Sequence, residues 1–168
     1  MAKAATATVR TYSSSVGVPE KNRQALIALL NLRLADSVDI HSQVKWAHWN
    51  VKGKDFYQLH LLFDSIATHM EDHIDTIAER IAALGGVANG TVRESAAKSS
   101  VAEADLSAAD GPAMIKFLVQ NVGFYTNALR EAVQEADDLE DDITVDLFTT
   151  ITREMDKDLW FIEAHTQA

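Results

Sequence analysis

Apolar residues recur at intervals of three and four along most of this chain, and that spacing restricts its fold more than any other feature. Between residues 55 and 84, Leu62, Phe63, Ile66, Met70, Ile74, Ile77, Ile81 and Leu84 share one face of a helix. From Pro19 to about Lys52 the same interval runs through Leu26, Leu30, Leu34, Ser37, His41, Val44 and His48. A third stripe over about 111–136 holds Ile115, Leu118, Val119, Val122, Leu129 and Val133. A fourth, over about 140–165, holds Ile143, Leu147, Ile151, Met155, Leu159 and Ile162. No segment shows a strand signal. With only 2 prolines the helices can run long.

The punctuation agrees with this division. Gly53 marks the end of the first helix and Asp55 is the expected N-cap of the second. Gly85-Gly86 ends the second helix. Residues 87–110 are small and polar. A connection that long is expected to cross the bundle, carrying a short helix around Val101–Leu106. Two helical hairpins joined by one crossover make an all-α four-helix bundle over residues 19–168. Residues 1–18 have no period and are expected to form a flexible N-terminal tail.

Composition narrows the function classes. The chain has no cysteine, which excludes disulfides, thiolate metal sites and thiol nucleophiles. Its formal net charge of −10 repels nucleic acid and attracts metal cations. No apolar run is long enough to span a membrane, and the first twenty residues lack a secretory pattern. A cytoplasmic location is the expectation.

Five of the 6 histidines lie between residues 41 and 73. With His60 at zero on a helical wheel, Asp64 falls at about 40°, Asp75 at about 60° and Glu79 at about 100°. The apolar stripe centres at about 270°, so these four form a polar stripe away from the core. His69 falls at about 180° and His73 at about 220°, at the core's edge. His48 stands five residues before Gly53 and His60 seven after it. In an antiparallel hairpin the two reach similar heights, so His48, His60 and Asp64 can converge. Two imidazoles and a carboxylate suit iron(II) or zinc.

Asp75 and Glu79 cannot join them within one chain, because Asp64 and Asp75 are about 16 Å apart along the helix. A second copy packed antiparallel about a two-fold axis near His69–Met70 would bring them opposite His60 and Asp64. A two-fold interface would then carry two equivalent sites. The competing reading is a solvated acidic face with boundary histidines. An in-bundle di-iron centre is disfavoured, because no Glu-x-x-His motif is present.

The stretch "HSQVKWAHWNVKGKDFYQLHLLFD", followed by "EDHIDTIAERIAALGG", resembles the signature of the Dps-type mini-ferritins, the DNA-binding proteins of starved cells. The ending "DKDLWFIEAH" resembles the family's last helix. The resemblance covers roughly residues 19–166 and implies a ferritin-like bundle assembled as a dodecameric shell. It implies an iron-oxidising ferroxidase site at each two-fold interface, with His48, His60 and Asp64 from one subunit and Asp75 and Glu79 from its partner. Hydrogen peroxide or dioxygen would be the oxidant, and ferric mineral would collect inside. Zinc would be a competitor for the site. Trp49, beside His48, is by the same analogy a candidate electron donor, with a packed interfacial aromatic as the alternative.

Residues 131–146, "EAVQEADDLEDDITVD", hold eight acids and no base. Part of this suits the N-terminus of the last helix. In the family the corresponding segment lines three-fold pores, which makes Asp138, Asp141, Asp142 and Asp146 candidates for the iron inlet. Direct DNA binding is not expected at physiological salt. Residues 1–20 carry only Lys3 and Arg10, and the C-terminal "EAHTQA" carries no base. A nucleoid-structuring protein with secondary iron chemistry is the alternative function.

Overall fold

The computed structural model describes residues 10–167. Five helices follow in order: α1 (Glu20–Asn50), α2 (Phe56–Ala83), α3 (Val92–Lys98), α4 (Gly111–Asp138) and α5 (Asp142–Glu163). Among the described residues there is no strand. α1 and α2 form one hairpin and α4 and α5 the other. α1 packs on α4 and α2 on α5, with α3 lying against α1. This is the expected bundle, with a crossover between its second and third long helices.

The core is one continuous cluster drawn from all four long helices, including Leu30, Phe63, Met70, Tyr125, Leu129, Phe148 and Met155. α1 buries residues on more than one side, because α2, α4 and α3 all pack against it. On α5 the buried face is turned slightly from the expected one. Thr144 and Phe148 are fully buried, whereas Ile143 is 62% exposed. The rotation follows a polar anchor. Asp141 Oδ2 accepts hydrogen bonds from Thr144 Oγ1 and from Arg80 of α2, each 2.5 Å long, and draws Thr144 inward.

Burial pushes the Asp141 carboxyl up, but the Thr144 and Arg80 hydrogen bonds outweigh it and hold the group below its ordinary 3.8. A depressed carboxyl stabilises the fold above its unfolded pKa, and that contribution is lost as pH falls through the folded one. Asp141→Asn is therefore expected to lower the unfolding free energy at neutral pH. The gap to wild type should shrink below about pH 4 in urea melts. A gap independent of pH would refute this.

The short helix lies earlier than the sequence suggested. It spans Val92–Lys98, and residues 101–106 are not helical. Thr91 Oγ1 accepts from the Glu94 amide, an N-cap followed by good helix formers. In the expected place, Asp105 Oδ1 instead accepts from the Ser107 amide and hydroxyl, a side-chain turn that competes with a helix. Asp55 occupies the N-cap position of α2 as expected, but its side chain makes no capping bond.

The expected tail is described in part. Residues 10–18 are non-helical, and from Tyr12 on they touch the bundle. The Tyr12 amide donates to Gly85 O (2.8 Å), Ser14 Oγ to Ala83 O (2.8 Å), and Val16 and Val18 pack on the core. Gly85 has a φ of +83°, and a Cβ there would collide with the Tyr12 carbonyl, so this junction requires glycine. Residues 1–9, the rest of the expected tail, lie outside the described residues.

Candidate metal centre

His48, near the end of α1, and His60, on the second turn of α2, meet across the Gly53 turn. Their rings stack with centroids 3.8 Å apart and planes inclined by 19°. His48 Nδ1 lies 2.8 Å from His60 O, and His60 Nδ1 lies 2.9 Å from His48 O. A carbonyl only accepts, so each Nδ1 carries the proton and donates it to the opposite backbone. Each Nε2 is thereby left with a free lone pair in the neutral ring, the state a metal ligand requires. Phe56 leans on the outer side of His60, with ring centroids 5.2 Å apart.

Asp64 stands one turn beyond His60. Its Oδ1 lies 3.8 Å from His48 Nδ1 and accepts from Lys45 Nζ at 2.8 Å. The Lys45 hydrogen bond is the main cause holding the Asp64 carboxyl below its usual range. Lys45 escaped the sequence reading. The signal was there, since Lys45 is one turn before His48 on α1 and reaches the height of Asp64 across the same hairpin.

Asp75 and Glu79 are exposed on α2, and neither forms an ion pair among the described residues. No three His, Asp or Glu side chains of a single subunit are gathered to hold a metal among the described residues. One chain thus stacks the histidine pair with Asp64 beside His48, short of a three-ligand site, and leaves Asp75 and Glu79 exposed farther along α2.

The other histidines have different work. His69 Nδ1 lies 2.9 Å from Asp158 Oδ2 and His73 Nε2 lies 2.7 Å from Glu154 Oε2, both tying α2 to α5. The His73 bond lowers the Glu154 carboxyl pKa. His41 sits 3.3 Å from Glu71. Among the described residues the bundle interior offers no carboxylate cage. Its central polar pair is Ser37 Oγ and Tyr125 Oη, 2.7 Å apart, and burial drives the Tyr125 phenol pKa well up. Trp49 is 64% exposed and lines a groove between α1 and α3.

Of the acidic segment, Asp138, Asp142 and Asp146 are exposed. Asp141 is buried against Arg80 and Thr144, so its carboxylate is committed to the fold rather than to a channel.

The sequence profile described as Ferritin-like domain matches residues 27–168. The DNA protection during starvation protein of Agrobacterium fabrum is 33% identical over 159 residues, covering 95% of this chain and 98% of the relative. The chain belongs to the ferritin-like Dps family. DpsA14 from Streptomyces coelicolor superposes with a TM-score of 0.90 at 33% identity, covering 96% of each chain. A Dps from Mycobacterium smegmatis superposes at 0.89 with 26% identity, covering 94% of this chain and 95% of that one. Membership places the chain among proteins of iron handling and stress protection. Among the described residues no helix is long and apolar enough to cross a membrane.

Proposed function

We propose that this Dps-family protein is an iron-sequestering ferroxidase. It oxidises Fe(II) with hydrogen peroxide or dioxygen at sites shared by two subunits, and it stores ferric mineral in a dodecameric shell. The observation that carries this reading is the reciprocal histidine lock, which engages both Nδ1 atoms with backbone carbonyls and leaves both Nε2 atoms to a metal.

A lone pair lies in its ring's plane. Stacked rings with centroids 3.8 Å apart and planes inclined by only 19° do not aim both lone pairs at one point within a metal–nitrogen bond of about 2 Å. Each histidine therefore serves its own ion. Two adjacent ions are the arrangement two-metal sites use, at roughly 4 Å separation. Asp64 opposite Asp75 and His60 opposite Glu79 are pairings of one antiparallel register, centred between His69 and Met70. A single two-fold contact then completes two sites, each with two imidazoles and three carboxylates.

The ligand set suits a redox change, since imidazole tolerates iron(II) and carboxylate favours iron(III). Two Fe(II) ions each give up one electron. Peroxide takes both, its O–O bond breaks, and two protons complete two waters. No hydroxyl radical is released when both electrons arrive together. Trp49, exposed and next to His48 in the sequence, would give an electron if only one iron is present. Asp138, Asp142 and Asp146 form the proposed inlet, where like charges concentrate cations. The exposed acids and the charge of −10 favour this over a nucleoid role.

The test is to load metal-free protein anaerobically with Fe(II), add peroxide, and follow ferric absorbance, with oxygen in parallel. Oxidation well above the protein-free rate, leaving soluble protein-bound ferric iron, is expected. Oxidation no faster than the control would sink the proposal.

A further inference from the structure

A lysine already occupies one of the candidate metal ligands. Lys45 Nζ holds Asp64 Oδ1 at 2.8 Å, the same oxygen that lies 3.8 Å from His48 Nδ1. The Lys45 side chain is 26% exposed and that of Asp64 51%. An ion bonded to that oxygen at about 2 Å would lie against the ammonium, and the two cations would repel. The lysine has a second place to go. Its side chain also lines the groove between α1 and α3, beside Asp39, His41, Ser42 and Trp49. That groove has a volume of about 360 Å³, enough for an ammonium and its water.

We propose that Lys45 is a displaceable internal counter-cation of the metal site. It is seated on Asp64 when no divalent ion is bound and moves into the groove when one arrives. This inference rests on the metal-site reading above. Its consequence is a loading threshold. Three carboxylates, two neutral imidazoles and one ammonium leave two negative charges uncompensated, which one divalent ion balances. The first ion must displace the lysine from Asp64, and scarce divalent ions leave the ammonium in place.

Cobalt(II) is a suitable probe, because its visible absorption reports coordination without iron turnover. Binding would be measured on the assembled full-length protein for wild type, Lys45→Met and Lys45→Arg. Methionine keeps most of the apolar stem and removes the charge. Lys45→Met is expected to bind cobalt roughly two- to fivefold more tightly than wild type, the worth of a partly exposed charge pair. Lys45→Arg, which keeps the charge, is expected to bind no more tightly than wild type. Equal or weaker binding by Lys45→Met would overturn the inference, as would tightening by Lys45→Arg. Failure of wild type and both variants to bind cobalt would overturn the metal-site reading and this inference together.

Discussion

Asp36→Ala is expected to cost about 3–5 kcal/mol of unfolding free energy, the range for stripping one partner from a buried charge pair. Asp36 is fully buried on α1, with Oδ2 3.2 Å from Nη2 of Arg33, itself only 7% exposed. That contact lacks hydrogen-bond geometry, and Arg33 Nε has no acceptor, so Asp36 is the guanidinium's main compensation. Oδ1 meanwhile accepts from the Ser100 amide at 2.7 Å and the Ser100 hydroxyl at 2.9 Å. The carboxylate therefore neutralises Arg33 and fastens the crossover to α1. Seven residues on, Gln43 Nε2 donates to Ala102 O (2.9 Å), and Asn121 of α4 donates to both Gln43 Oε1 and Ala102 O. The crossover is thus stitched at two heights.

The two roles of Asp36 separate in a double variant. Arg33→Met with Asp36→Leu removes both charges and fills their space, which usually recovers stability. The crossover amide of Ser100 would still lack its acceptor, leaving a residual loss of about 1–3 kcal/mol. Urea unfolding measures the sums, and hydrogen exchange at Ser100 reports the crossover directly. A loss under about 1 kcal/mol for Asp36→Ala would mean that water reaches the pair and replaces the carboxylate.

What could be read from the sequence follows a physical line. The four long helices were legible because apolar spacing is a direct image of burial. The approach of His48 and His60 was legible because a short turn fixes the height of everything beside it. Their reciprocal hydrogen bonds were not, since ring orientation depends on backbone carbonyls that no pattern encodes. The short helix was misplaced because apolar content at Val101 and Leu106 outweighed the stronger signal of Thr91 and Glu94. Leu106 proves 73% exposed. The face of α5 was misjudged at Ile143 because a buried Arg80–Asp141–Thr144 group drew a threonine inward. Asp141 looked like a channel residue for the same reason. A run of acids does not reveal which member finds a buried arginine. Lys45 was passed over because lysine is not a ligand, although a cation beside a candidate carboxylate bears on that carboxylate's availability.

The shared-site reading makes a quantitative prediction for mixed assemblies. One variant carries His60→Ala and Asp64→Ala, and a second carries Asp75→Ala and Glu79→Ala. Each alone loses ligands from every site, and iron oxidation is expected to fall to near the protein-free rate. In a dimer of one variant with the other, both defects fall in the same site. The second site then draws its histidines and Asp64 from one chain and Asp75 and Glu79 from the other, all intact. Random pairing makes half the dimers mixed, each with one good site of two, so roughly a quarter of wild-type oxidation should return. The variants must be dissociated, mixed and reassembled, with mixing of the folded shells as the control. All four side chains are half-buried or exposed, so the bundle should survive their loss. A site contained within one chain predicts no recovery at any ratio. Recovery near a quarter at equal ratio, falling as either variant is put in excess, would require ligands from two chains.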